Sequence, residues 1–185
     1  MIEVTLGIDP GLTGAISMFV DGKFHCLWDM PTQVRSITRK RVTRGKMKGQ
    51  MKNYEKREVD GRMLAAIISD AQAVGTVTIC LELVSAMRKP DDDKPQGTSS
   101  TFSLGDSYGS ARAASEIMVT AHNVYKKVPT VWKRHFDLLK KPKDASRLLA
   151  VELIPDAAHL LQRKKDDGRA DALLIGLYLV QTKEK

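Results

Sequence analysis

Cysteine is scarce in this chain, and long apolar runs are absent. The 185 residues include two cysteines, Cys26 and Cys80, which are far apart and so exclude a disulfide framework and a Cys-x-x-Cys metal or redox motif. No apolar run approaches the ~18 residues that a membrane span needs. The first residues alternate in polarity, unlike a secretory signal. We therefore expect a single domain over residues 1–185, in the reducing cytoplasm and with no membrane partner.

Acidic side chains are outnumbered, since 30 Lys and Arg against 22 Asp and Glu give a formal net charge of +8. The excess lies in residues 33–57, which hold ten basic side chains and one acid. This segment lacks apolar periodicity, so we predict a flexible basic insertion. It is either a solvated loop without a ligand or a surface for a polyanion. Because ten like charges repel one another, contact with phosphates is favoured.

Several side chains of this segment are candidates for contact with DNA. The basic candidates are Arg39, Lys40, Arg41, Arg44, Lys46 and Lys48. Three further residues among them are suited either to stacking on bases or to flexible packing: Met47, Met51 and Tyr54.

Apolar periodicity predicts a mixed α/β fold. Alternating residues separated by tight turns predict an antiparallel meander of three strands over 2–8, 15–20 and 23–30. Helical spacing over 59–74 leads to a fourth strand over 76–82, and such a crossover implies parallel pairing. The later elements are predicted as loop, helix, strand and three helices: 88–100, 101–120, 122–128, 129–139, 143–154 and 170–180.

One predicted helix carries two glycines four positions apart, Gly105 and Gly109. Glycine is costly inside a helix. The spacing therefore indicates that another backbone approaches closely, either within the fold or across a dimer.

Carboxylates are predicted to meet at one edge of the sheet. Asp9 ends the first strand and Glu82 ends the strand parallel to it, and ligands of open sheets collect at that edge. Asp171 lies in an apolar run, where a carboxylate is costly unless it is paired or bound to a cation. Asp167 precedes it by four residues and shares its helix face if the helix begins early enough. Such carboxylates are the ligands of Mg²⁺, and two ions about 4 Å apart can hydrolyse a phosphodiester.

Each acid also has a structural explanation. Asp9 can form a turn and Glu82 can be a solvated charge at a strand end, while Asp166 and Asp167 can cap a helix. Taken singly, the structural explanation is preferred for Asp166 and is evenly balanced for Asp167 and Glu82. Taken together, metal chemistry is preferred, because Asp9 and Asp171 adjoin buried segments.

Motifs spread along the chain resemble those of the RuvC family of Holliday junction resolvases, in its phage-type branch. The match runs in order from about residue 4 to 180. The motifs are GIDPGLTGA (7–15), LELV (81–84), FSLG (102–105) with YG (108–109), VP (128–129) with WK (132–133), and GRADAL (168–173).

The resemblance implies a ribonuclease H-like fold, in which helices flank a mixed five-stranded sheet made of an antiparallel meander and two parallel strands. It also implies a homodimer, two Mg²⁺ or Mn²⁺ ions per active site, and paired nicks at a four-way junction. The family's acids fall on Asp9, Glu82 and Asp171. Its basic residues near the scissile phosphate fall on Lys133 and Lys143.

Two features depart from the family pattern. In bacterial members the last two acids are three apart, which here selects Gly168, so the fourth ligand is either Asp167 or absent. The basic segment is longer than in bacterial members. It resembles the phage-type branch, which extends the expected substrates to forks and flaps and the expected location to the bacterial cytoplasm or a phage-infected host.

Two other functions fit parts of the sequence. Sugar kinases and actin-like ATPases also open with a strand, an Asp and a glycine turn, but they need a second domain for which 185 residues leave no room. A noncatalytic protein that binds branched DNA by shape and charge would have no use for Asp9 and Asp171. The sequence therefore predicts a metal-dependent endonuclease of branched DNA.

Overall fold

The fold is known from a computed structural model that describes residues 1–85, 97–142 and 144–183. Its strands are β1 (Glu3–Asp9), β2 (Ala15–Val20), β3 (Lys23–Asp29), β4 (Thr32–Arg41), β5 (Met51–Val59), β6 (Thr76–Glu82) and β7 (Val124–Lys127). Its helices are α1 (Gly61–Val74), α2 (Thr98–Met118), α3 (Pro129–His135), α4 (Ala145–Leu153) and α5 (Asp167–Lys183), with 3₁₀ turns at Ala121–Asn123 and Pro155–Leu160.

Five of the strands form one sheet in the order β3-β2-β1-β6-β7. The first three strands of the chain are antiparallel neighbours, whereas β6 runs parallel to both β1 and β7. Helix α1 leads into β6, and α2 lies between β6 and β7 along the chain. The predicted mixed five-stranded sheet, an antiparallel meander with two parallel strands flanked by helices, is confirmed.

Strand β1 is central, and both of its faces are buried. Its apolar side chains, Val4, Leu6 and Ile8, all face one core, which is why the alternating pattern predicted the strand. On one face, Leu6 and Ile8 pack with Leu64 of α1 and with residues of α2. On the other face lies α5, so close that a side chain at Gly7 would collide with the backbone of Gly176. The sheet therefore holds α5 firmly against the strand that ends at Asp9.

The basic segment, for which the sequence predicted no strand or helix, is a two-stranded antiparallel ribbon. Its flexibility stays a prediction. Strands β4 and β5 pair from Thr32 with Val59 to Arg41 with Met51. Nearly all of their side chains face solvent, so neither face shows the apolar alternation that usually reveals a strand. The connecting loop contains Gly45 and Gly49 at positive φ. Residues 32–59 are called the basic ribbon below.

The basic ribbon leaves the sheet at the edge where β1 ends. Asp9 pairs with Ala15, and Ala15 pairs in turn with Asp29 at the end of β3. At the base of the ribbon, Arg35 forms an ion pair with Asp106 of α2 at 3.3 Å. The root of the ribbon is thus attached to the same end of the molecule as Asp9.

Cys26 and Cys80 are both free cysteines. Cys80 is buried in β6, whereas Cys26 is half-buried, with its sulfur 3.9 Å from that of Met18. None of the helices in the described ranges is long and apolar enough to cross a membrane.

Candidate active site

Two acids stand at the carboxyl ends of neighbouring parallel strands. Asp9 is the last residue of β1 and Glu82 is the last residue of β6, and the residues just before them pair in register. The backbone amide of Gly11 donates to Asp9 Oδ1 at 3.1 Å. The indole Nε1 of Trp132 donates to Glu82 Oε1 at 3.1 Å. Since Trp132 is fully buried, it holds the Glu82 carboxylate in a defined position.

Helix α5 supplies two more acids. It begins at Asp167, three residues before its predicted start, and this meets the condition for Asp167 and Asp171 to share a helix face. Arg169 donates two bonds to the carboxylate of Asp29, at 2.6 and 2.7 Å, and so ties the first turn of α5 to the end of β3. The set formed by Asp9, Glu82, Asp167 and Asp171 is called the acidic edge below.

Carboxylates of the acidic edge raise one another's pKa. Burial is the largest cause of the shift of Asp9, whose pKa rises to about 6, and the charges of Asp171 and Asp167 add to it. Burial, followed by the charges of Asp9 and Asp171, raises the pKa of Glu82 to about 7. Burial also raises the pKa of Asp171, with Asp167 adding to the effect. These groups therefore lie close enough to repel one another, and a cation between them would relieve the repulsion.

Lys133 of α3 is the lysine that faces the acidic edge. Its Nζ lies 3.8 Å from Asp171 Oδ2 and 4.9 Å from the centre of the Trp132 ring. Its positive charge lowers the pKa of Asp9, Glu82 and Asp171, but less than burial raises each of them. Among the described residues, the ammonium group of Lys133 is thus outnumbered by the carboxylates of the acidic edge.

The donor set of the acidic edge fits a hard divalent cation. All four groups are carboxylates, and the buried Oδ1 of Asp171 has no hydrogen-bond partner in the described part of the chain. The Ser146 hydroxyl bonds to the same carboxylate and lowers its pKa. As they stand, no three His, Cys, Asp or Glu side chains in residues 1–85, 97–142 and 144–183 converge closely enough to hold a metal ion. Trp132 holds the Glu82 side chain, and the backbone amide of Gly11 holds that of Asp9. To share a metal ion, these carboxylates would have to rotate out of these positions.

Neither neighbour of Asp167 can supply the fourth carboxylate. A side chain at Gly168 would collide with the backbone carbonyl of Thr13, because the turn after β1 packs onto the first turn of α5. Asp166 is buried and bound by Arg163, whose Nη2 and backbone amide donate to its two oxygens at 2.7 and 2.8 Å. These bonds lower the pKa of Asp166. Within positions 166–168, Asp167 is therefore the residue placed to act with the other acids.

Most of the predicted DNA-binding residues lie on the basic ribbon. Arg39, Lys40 and Arg41 belong to β4, and the other cations, Arg44, Lys46 and Lys48, lie in the exposed loop that joins β4 to β5. None of these six charges is among the causes of the pKa shifts at the acidic edge. The structure brings Lys133 to the acids, whereas Lys143 lies outside the described residues.

Two contacts of the acidic edge escaped the sequence analysis. Trp132 lies in a motif, but its bond to Glu82 joins residues 50 positions apart and depends on a core that Trp132 shares with Cys80 of β6. Ser146 is the second residue of α4, and no sequence pattern marks it. The sequence signal that pointed to the surroundings of Glu82 is the WK motif, which places Trp132 next to the candidate Lys133.

Comparisons with known proteins give a likeness of fold. No family model matches this chain, and no curated protein sequence matches it. Among the solved structures that match is the Thermus thermophilus RuvC structure. The two share 16% sequence identity over 97% of this chain and 96% of that chain, with a TM-score of 0.48.

Proposed function

We propose that this protein is a metal-dependent endonuclease that nicks Holliday junctions and related branched DNA. The observation that carries the proposal is the acidic edge, in which carboxylates from β1, β6 and α5 lie beside Lys133. Without a bound cation, the negative charge of each carboxylate destabilises the ionised form of the others. A purely structural role does not account for such an arrangement, whereas the binding of divalent cations does.

The metal-binding role is assigned to four carboxylates that would hold two Mg²⁺ ions, or Mn²⁺ in their place: Asp9, Glu82, Asp167 and Asp171. When bound, such ions activate water for attack on a phosphodiester and stabilise the leaving oxygen. Lys133 places a positive charge beside the acids, where it can act on the phosphate. Trp132 orients Glu82 through its indole N–H.

The basic ribbon supports DNA as the substrate. Its ten basic and two acidic side chains account for the net charge of +8 of the chain, and it leaves the sheet at the edge where Asp9 lies. A branched DNA offers one duplex arm to the ribbon while another part of the backbone lies at the acidic edge. Four-way junctions, forks and flaps all meet this requirement.

A second copy of the chain is part of the proposal, because paired nicks in a symmetric junction need two active sites. Nothing in the described fold lies within 4 Å of a Cβ placed at Gly105 or Gly109 of α2. Among the described residues nothing approaches these two glycines, and the proposal assigns the space above them to α2 of a second copy. Sedimentation at micromolar concentration should give twice 20.5 kDa. A strict monomer that still makes paired cuts would contradict the dimer.

Cleavage of a labelled four-way junction tests the proposed activity. The protein should nick the junction in Mg²⁺ and only bind it in EDTA, and a linear duplex of the same sequence should remain intact. Binding without cutting in Mg²⁺ would instead support the noncatalytic DNA-binding protein. A fork and a flap in the same assay would measure how far the substrate range extends.

A further inference from the structure

The basic ribbon has two faces with different chemistry. Side chains alternate between the faces of a strand, and directly paired residues of two strands share a face. Along the outer half of the ribbon, one face carries the pairs Thr38 with Tyr54 and Lys40 with Lys52. The opposite face carries the pairs Arg39 with Asn53 and Arg41 with Met51. These are called the lysine face and the arginine face.

Neither face is neutralised by the protein itself. Residues 36–54 contain seven Lys and Arg and no acid. All of the paired residues on both faces are exposed. In the described part of the chain, the side chains of Arg39, Lys40, Lys52 and Asn53 form no hydrogen bond or ion pair. The outer ribbon is therefore an open cationic surface whose partner is a polyanion.

The lysine face has the chemistry of a phosphate contact. Lys40 and Lys52 are directly paired across the strands, and like charges in that position destabilise a ribbon unless an anion lies between them. Hydroxyl groups of Thr38 and Tyr54 accompany them on this face. Lysine, threonine and tyrosine side chains are common donors to phosphate oxygens, which carry no sequence information.

The arginine face has the chemistry of a base contact. Arginine binds guanine through its O6 and N7 atoms, and asparagine binds adenine through N6 and N7, both in the major groove. Arg39 and Asn53 are direct cross-strand partners, so their Cβ atoms are about 5 Å apart. That separation suits two neighbouring base pairs. The major groove, about 12 Å wide, also admits a two-stranded ribbon.

We propose that the basic ribbon enters the major groove of a duplex arm and reads base pairs through Arg39 and Asn53, while Lys40 and Lys52 hold the phosphate backbone. This inference rests on the proposed function, because it assigns a DNA contact outside the acidic edge. The protein then selects its substrate twice, by the branch at the acidic edge and by the sequence of an arm.

Two double variants separate the faces. Arg39→Lys with Asn53→Ala keeps the net charge but removes the bidentate groups, whereas Lys40→Gln with Lys52→Gln removes two charges and leaves the arginine face intact. All four positions are exposed, and circular dichroism checks the fold of each variant. The probe is a four-way junction with one randomised arm, bound in EDTA at several salt concentrations and sequenced after selection.

The wild type should enrich a G·C pair next to an A·T pair in the randomised arm, with discrimination on the order of tenfold. The arginine-face variant should lose this enrichment and keep the salt slope. The lysine-face variant should keep the enrichment and flatten the slope of log K against log salt by roughly 1.8. Absence of enrichment by the wild type, or its survival in the arginine-face variant, would overturn the inference.

The same samples distinguish a failure of the base-reading ribbon from a failure of the proposed endonuclease function. If the wild type cuts the junction in Mg²⁺ but the arginine-face variant selects the same arms, the base-reading ribbon is wrong and the proposed function stands. If the wild type binds the junction and never cuts it in Mg²⁺, the proposed function is wrong.

Discussion

The acidic edge and the basic ribbon lie at the same end of the sheet, but they hold their charges in different surroundings. The carboxylates belong to elements fixed by the two cores, and burial is the largest cause of their raised pKa values. The outer cations of the ribbon are exposed, and tertiary contacts such as that of Arg35 with Asp106 lie at its base. The geometry of the acids is therefore set by the packing of the whole domain. The ribbon depends on local strand pairing, so changes there should affect binding with little effect on the fold.

The largest expected effect on cutting comes from neutralising one carboxylate of the acidic edge. Asp9→Asn, Glu82→Gln and Asp171→Asn should each lower the cleavage rate by at least about 1,000-fold, because each removes a charged group on which the site depends. Binding of the junction should be retained. The rates are measured with a labelled junction in Mg²⁺ under single-turnover conditions. A normal rate for Asp9→Asn would show that the assignment is wrong.

Asp167 and Asp166 provide a matched pair for the fourth ligand. Asp167→Asn should lower the cleavage rate by about 100-fold, since one electrostatic element of the site is lost. Asp166→Asn should leave the rate nearly unchanged but lower the melting temperature, because Arg163 loses its charged partner. The two rates and the two melting temperatures are measured side by side. Equal losses of cleavage would mean that the fourth ligand has been misassigned.

Shortening the ribbon should leave the chemistry intact. Residues 37–55 are replaced by Asn-Gly, a two-residue turn that joins the paired strands at Ser36 and Lys56. Cutting at saturating enzyme should survive. If about five cations of the wild type contact phosphate, its log-log salt slope of binding lies between roughly −4 and −5, and the shortened variant should have a shallower slope. Circular dichroism and melting serve as controls for the fold. An unchanged slope, or loss of cutting at saturation in a folded variant, would contradict the division of roles.

The smallest expected effect concerns pH. In EDTA, folded Asp9 keeps its proton up to about pH 6 and Glu82 up to about pH 7, whereas both groups ionise near pH 4 in the unfolded chain. The folded state then binds more protons between these values, so the free energy of unfolding should fall as pH rises from 4.5 to 7. Melting temperatures across this range should show it, with a smaller slope for Asp9→Asn.

The elements that the sequence predicted best are those that the fold buries. β1 was predicted from its alternation, in which every second residue faces one core, and α5 was predicted from its apolar run, because it is buried on nearly all sides. Asp9 and Asp171 attracted attention for the same reason, as charges beside buried segments. The ribbon was missed as regular structure because it is solvated on both faces, and its pairing depends on backbone bonds that leave no apolar pattern.

The finer details of the acidic edge depend on contacts between distant parts of the chain. The bond from Trp132 to Glu82 and the contact of Gly168 with Thr13 exist only once the sheet and α5 have packed. Local spacing could therefore narrow the fourth ligand to Asp167 or none, but it could not show that position 168 has no room for a side chain.

Thermal melting with and without divalent cations tests the central claim most directly. If the acidic edge is a set of mutually repelling carboxylates built to hold Mg²⁺ or Mn²⁺, either ion should raise the melting temperature of the wild type in a saturable way. Asp9→Asn should melt at a higher temperature than the wild type in EDTA and should gain little from the ions. A wild type that does not respond to either ion, together with an Asp9→Asn variant that is less stable in EDTA, would contradict the account.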